Sequence, residues 1–379
     1  MKKNIGILTS SRADFSIYLP LIKELQVNNY NVEIIAFGTH LAPEYGNTVD
    51  LIEKEGIFVK HKINNCYAKG ETPLDISSAI AQTTESFAKF WSVNHFDLVF
   101  CLGDRYEMFA AVSAGLPFQV KFAHIHGGET TLGAIDNSFR HAITHMSTWH
   151  FTACEDYHKR VLELTHNPYQ VFNCGALSLD NIRSLQTLTI QALKSKTDLD
   201  FNKPIILCTF HPETVNFEKN RIFAEEISLA FEQLSEFQIL ITLPNTDTGG
   251  LMIRNRFLQL QAKFPNRIKA VENLGNLGYI SAMQHCTLMV GNTSSGFIEA
   301  AYFPKTVINL GNRQKGRILT NNIINSPIES AAIIDSIHKN KNNIYTNNQV
   351  NIYGDGFAAT RICNTLDKLI FAQSDDVSI

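Results

Sequence analysis

Residues 98–107 read LVFCLGDRYE. Five apolar residues run unbroken into a glycine and a polar turn, and a helical pattern follows over 106–116. A run that short and that apolar reads as a strand buried on both faces, which is the signature of a parallel sheet covered by helices. The same unit recurs outward in both directions. Strands are expected at Ile5–Thr9, Val32–Phe37, Ile57–Ile63, Val120–Ile125, His150–Ala153 and Gln170–Cys174. Beyond a gap they resume at Ile205–Phe210, Gln238–Leu243, Ile268–Val271, Thr287–Val290 and Thr306–Leu310. Helical periodicity fills the intervals near 15–28, 76–92, 134–147, 218–235 and 250–263, with a final helix near 357–372. Strands alternating with helices specify the doubly wound α/β class.

The pattern weakens in the polar stretch QTLTIQALKSKTDLDFNK, residues 186–203. It reads as a linker between two Rossmann-like lobes, 1–185 and 200–356, with the C-terminal helix of 357–379 packing back on the first. The Asn-rich segment 338–356 reads as loop, and no solenoid-period repeat appears. Ligands of open α/β sheets bind beyond the carboxyl ends of the strands, so the active site is expected in a cleft between the lobes.

Composition removes several classes. With 44% hydrophobic and 18% charged residues the 379-residue chain is globular, not disordered or coiled coil. Lys plus Arg at 33 against Asp plus Glu at 36, with no basic run, argues against a nucleic-acid partner. The apolar runs are strand-sized, so no membrane span is expected. The N-terminal Ile5–Leu8 run is too short for a signal peptide and is broken by Ser10-Ser11-Arg12. Seven scattered cysteines without a Cys-x-x-Cys pair read as free thiols in a reducing cytoplasm.

The chemistry-bearing residues fall just after the strands. Arg12 and Asp14 follow the first, offering a guanidinium or merely a helix cap. Asp104 and Arg105 follow Leu102, as a site or a structural ion pair. His126-Gly127-Gly128-Glu129 follows Ile125 and sets two close-approach glycines beside titratable groups. Asp136 and Arg140 are spaced to share one helix face. His124, His126, His141, His145 and His150 allow a zinc reading, but alternating strand positions scatter them, and no metal is expected. In the second lobe His211, Asn245 and Asp247 follow strands. Residues 290–299 (VGNTSSGFIE) form a hydroxyl-rich turn opening a helix, suited to phosphate, with Glu299 placed to accept from ribose hydroxyls. Arg313, Lys315 and Arg317 add cations after Leu310. No G-x-G-x-x-G is present after the first strand, so no dinucleotide cofactor is expected. A diphosphate cradle in one lobe and carboxylates in the other suit a nucleotide-sugar whose anomeric C–O bond is broken.

The chain resembles the hydrolysing UDP-N-acetylglucosamine 2-epimerases of bacterial sialic-acid-type pathways. The resemblance runs over nearly the whole sequence and is carried by SRAD, LGDRYE, HIHGGE, AIDNSFRHAITHMS, FHPET, NTSSGFIE and GNRQKGR. It implies a two-lobed GT-B fold and elimination of UDP to a 2-acetamidoglucal. Water then adds at C1 and a proton returns to C2 from the opposite face. It further implies Asp104, Glu129 and Asp136 as catalytic carboxylates and His211 at the departing diphosphate. Ser294, Ser295, Gly296 and Arg313 would contact phosphate with Arg12 beside them, and Glu299 would anchor ribose. Arg105, Arg140 and Asn245 would line the sugar or phosphate pocket, with His126 and Gly128 at the sugar. No cofactor is implied. Family members are commonly dimers or tetramers, so a homo-oligomer is expected.

Non-hydrolysing cousins carry an HVEAG-like pattern where this chain has HIHGGE, which favours the hydrolysing branch. Two substrates remain open within it: UDP-N-acetylglucosamine first, and UDP-2,4-diacetamido-2,4,6-trideoxyglucose, toward which ETTLGAIDN (129–137) leans. Rival classes are a GT-B glycosyltransferase, which needs an acceptor, a zinc hydrolase, and a nucleotide-sugar sensor without acid–base groups.

Overall fold

The structure, a computed structural model, describes residues 2–43, 46–64, 66–68, 70, 72–130, 135–213, 217–244, 250–272, 274–346 and 350–372. The chain divides into two compact units. The first takes in Met1–Glu129, Ile135–Arg183 and the stretch from Tyr353, and the second takes in Ser184–Ile352.

The first unit carries seven strands: β1 (Asn4–Thr9), β2 (Asn31–Ala36), β3 (His61–Lys62), β4 (Leu98–Leu102), β5 (Phe122–Ile125), β6 (Trp149–Thr152) and β7 (Val171–Asn173). Their order is β3-β2-β1-β4-β5-β6-β7, and every pairing is parallel. β4 is apolar at every position because both of its faces are covered. Phe100 and Leu102 enter one core with Tyr18, Leu21 and Ile362, while Val99 and Cys101 enter another with Phe87, Trp91 and Met108. The helix Ala358–Ala372 contributes to the first of these cores. Its N-terminal N–H groups at Ala358 and Ala359 donate to the buried Asp180 carboxylate at 2.9 and 2.8 Å.

The second unit carries β8 (Ile205–Thr209), β9 (Gln238–Thr242), β10 (Ile268–Val271), β11 (Leu288–Gly291), β12 (Thr306–Leu310) and β13 (Ile323–Ser326). The order β10-β9-β8-β11-β12-β13 is again all parallel. Both sheets reverse their winding direction beside their first strand, so β1/β4 and β8/β11 are the topological switch points where such sheets bind ligands.

Two expectations are corrected, and one strand was not expected. The strand at 57–63 shrinks to His61–Lys62, because β3 meets only Ile35 and Ala36 of β2. The stretch 186–203 contains a helix, Ile190–Thr197, capped by Thr189 Oγ1 on the Ala192 N–H at 3.2 Å. β13 lies among the polar residues Asn321, Asn322 and Asn325, which conceal its period. No helix among the described residues is long and apolar enough to cross a membrane.

Candidate active site

In the first unit, the ends of β4 and β5 are joined by one guanidinium. Arg140, 4% exposed, sits in the helix Asp136–Met146. Its Nη2 donates to Asp104 just past β4, and its Nη1 donates to the His126 carbonyl just past β5 at 2.7 Å. The Glu129 carboxylate, 3% exposed, accepts from His126 Nδ1 at 2.6 Å and lies 3.9 Å from Arg140 Nη1. Asp104, His126, Glu129 and Arg140 thus form one hydrogen-bonded cluster.

Asp136 opens the helix. Burial and the nearby Asp104 charge push its carboxyl up to about 6. Spacing alone suggests an Asp136–Arg140 pair; the guanidinium is instead spent on Asp104 and the His126 carbonyl. Arg105 is also committed. Its Nε and Nη2 donate to the fully buried Glu107 at 3.2 and 2.7 Å. Glu107, which sequence reasoning left without a role, stands two residues after Arg105 in the same motif.

The backbone of the HIHGGE stretch is constrained. His126 has φ +64°, where side chains other than Gly, Asn, Asp and His are rare. Gly128 has φ +80°, and a Cβ there would lie 2.5 Å from the Tyr157 carbonyl. The Gly128 carbonyl accepts from Arg160 Nη1 at 2.7 Å. His124 is structural in its contacts, with Nε2 2.8 Å from the Gly103 carbonyl and Nδ1 3.1 Å from Thr144 Oγ1. Burial lowers its imidazole to about 3. Among the described residues no group of three or more His, Cys, Asp or Glu side chains could hold a metal ion. Near β1, Asp14 turns inward to accept from Ser10 N and Oγ at 2.9 and 2.6 Å, leaving Arg12 exposed at the start of the helix Arg12–Val27.

In the second unit, the fully buried Asn292 organises three strand ends. Its side chain makes a pair of hydrogen bonds with the His211 backbone, Oδ1 accepting at 2.7 Å and Nδ2 donating at 2.8 Å. Its carbonyl accepts from Arg313 Nη1 at 3.1 Å and Gln314 Nε2 at 2.9 Å. His211 and Arg313 are thereby drawn to one place. Burial, with the Arg313 charge, lowers the His211 imidazole to about 4. Gly291, at φ +144°, is required: a Cβ would lie 1.9 Å from the Thr209 carbonyl.

The hydroxyl-rich turn differs from expectation. Ser294–Gly296 is a 3-10 turn, and the following helix is only Glu299–Tyr302, so a long helix dipole is absent there. What the turn offers is a connected set of hydroxyls. Ser295 Oγ lies 2.6 Å from Tyr279 OH and 3.1 Å from Thr293 Oγ1, and Tyr279 OH continues to Thr209 Oγ1 at 3.3 Å. Tyr279, on the helix Gly275–His285, carried no sequence signal. Ser294 is exposed, and Glu299 is partly buried. The expected residue Asn245 lies outside the described residues.

A family model described as UDP-N-acetylglucosamine 2-epimerase matches residues 23–367. The chain is similar to the GDP/UDP-N,N'-diacetylbacillosamine 2-epimerase (hydrolyzing) of Campylobacter jejuni, 35% identical over 328 residues, which are 86% of this chain and 85% of that protein. It is similar to the polysialic acid biosynthesis protein P7 of Escherichia coli, 31% identical over 89% of this chain and 85% of that protein. The crystal structure of UDP-GlcNAc 2-epimerase from Neisseria meningitidis bound to UDP-GlcNAc shares its fold, with TM-score 0.81 and 19% identity over 96% of this chain and 100% of that one.

Proposed function

The chain belongs to the UDP-N-acetylglucosamine 2-epimerase family, and from that premise we propose that it is a hydrolysing UDP-N-acetylglucosamine 2-epimerase. It converts UDP-N-acetylglucosamine and water to N-acetylmannosamine and UDP, for sialic-type sugar synthesis. The observation that carries this reading is the cluster of Asp104, His126, Glu129 and Arg140 at the ends of adjacent strands β4 and β5. It supplies titratable groups in a shielded setting, where electrostatic interactions are strong.

The second unit holds UDP. Arg313 and the Ser294–Ser295–Gly296 turn take the diphosphate, Glu299 takes the ribose, and His211 aids departure of the leaving group. His211, kept neutral by burial, serves as a hydrogen-bond partner there. Arg12 adds charge at the diphosphate, and Asn245 adds a polar contact. Arg105 reaches UDP only by giving up Glu107. The first unit handles the sugar. C2–H is a weak acid next to no carbonyl, so C1–O cleavage runs ahead of proton loss, and the carboxylates stabilise the developing positive charge. Asp136, at about 6, keeps some protonated form near neutral pH and suits the return of a proton to C2. Seven buried free cysteines fit a reducing cytoplasm, and the enzyme works as a homo-oligomer.

The test is proton NMR of the purified protein with UDP-N-acetylglucosamine in D2O. Release of UDP with N-acetylmannosamine deuterated at C2 is expected. The second reading is the same reaction on UDP-2,4-diacetamido-2,4,6-trideoxyglucose, and the 35% identity to the Campylobacter jejuni protein favours it. Turnover of that substrate alone would select it, and silence on both would return the chain to the transferase class.

A further inference from the structure

His126 is held at every polar atom but one. Its N–H donates to the Phe151 carbonyl at 3.2 Å, its carbonyl accepts from Arg140 at 2.7 Å, and its Nδ1 lies 2.6 Å from Glu129 Oε1. The backbone is fixed in the left-handed region. The remaining atom, Nε2, is shielded from solvent and has no hydrogen-bond partner among the described residues. Leaving a buried polar atom unpaired is costly. His124, two residues earlier on β5, has both ring nitrogens paired. A carboxylate on Nδ1 fixes the proton there and leaves the lone pair on Nε2. Asp104, by contrast, is ion-paired with Arg140.

We propose that His126 Nε2 is the base that takes the C2 proton of the sugar, with Glu129 as its positioning partner; this rests on the epimerase reading above. As the C1–O bond breaks, its electron pair leaves on the β-phosphate oxygen of UDP. The C2–H bond then breaks, its pair forms the C1=C2 bond of the 2-acetamidoglucal, and the proton goes to Nε2. Glu129 stabilises the imidazolium. Water then adds at C1, while C2 receives a proton on its other face from a different acid, which the water's proton restores. Nε2 gives up its proton as the products leave, and this is the net proton of the hydrolysis.

The experiment separates the two half-reactions in His126→Asn, which tolerates the left-handed backbone, and in His126→Gln. UDP release from the nucleotide-sugar is expected to fall about 100-fold or more. Hydration of added 2-acetamidoglucal in the presence of UDP is expected to stay within about threefold of wild type, with the dissociation constant for UDP unchanged. Unchanged UDP release in either variant, or equal loss in both half-reactions, would overturn the assignment. A wild-type protein that releases UDP from neither nucleotide-sugar would instead overturn the epimerase reading on which it rests.

Discussion

Arg140 donates to Asp104 through Nη2 while its Nη1 holds the carbonyl of His126, so one side chain sets the spacing between two strand ends. Arg140→Met leaves a carboxylate and a carbonyl without their donor. Breaking a buried pair is costly, and with Asp104 24% exposed the loss is expected near the low end, about 3 kcal/mol. Urea denaturation measures it, and an unchanged midpoint would show that the clamp contributes nothing to stability.

The carboxylates Asp104 and Glu129 lie in the first unit, whereas His211, Ser294, Ser295, Glu299 and Arg313, assigned to UDP, lie in the second. Asp104→Asn and Glu129→Gln should therefore keep UDP affinity by calorimetry and lose turnover by about 100-fold or more. The glutamine can present its amide N–H to His126 and stabilise the wrong tautomer, so even this isosteric change should be severe. Normal turnover in Glu129→Gln removes the pair from the mechanism.

Much of the architecture was legible because strands such as Leu98–Leu102 are apolar on both faces, a pattern that local sequence carries by itself. β13 and the helix Ile190–Thr197 were not, since short elements with few apolar residues have no readable period. Within the site, motif position pointed to Asp104, His126 and Glu129. Pairing was another matter: which carboxylate Arg140 meets depends on a contact 36 residues away in sequence. Tyr279 is likewise invisible, because a tyrosine in a helix signals nothing until its hydroxyl is found beside Ser295.

Acid sensitivity follows from His124. Burial lowers its pKa to about 3 from the 6.5 of an exposed imidazole. Between those values the unfolded chain binds a proton that the folded one refuses. Its contribution is fully present above about pH 6.5 and is lost as pH falls toward 3, at up to about 1.4 kcal/mol per pH unit. Asp136, raised from 3.8 to about 6, acts in the opposite sense over its own range, so the comparison must be made against a variant. His124→Gln keeps an N–H for the Gly103 carbonyl and cannot titrate. Wild type should lose more stability than this variant between pH 6.5 and pH 4. Parallel pH profiles of the urea midpoint would show that His124 is not the sensor.

Nucleotide affinity should depend on both sides of the second unit's strand ends. Arg313→Ala removes a cation from the proposed diphosphate site and should weaken UDP binding about 10-fold or more at low salt, with the loss shrinking as ionic strength rises. Tyr279→Phe acts indirectly. Tyr279 OH sits 2.6 Å from Ser295 Oγ, and burial raises it to about 12, so it stays a neutral donor at working pH. By donating to Ser295 it leaves the serine proton free for a phosphate oxygen. Loss of that one hydrogen bond should weaken UDP binding about 5-fold, while kcat at saturating substrate changes little. Calorimetry with UDP alone reads both variants, and an unaltered affinity in Arg313→Ala would move the diphosphate away from this turn.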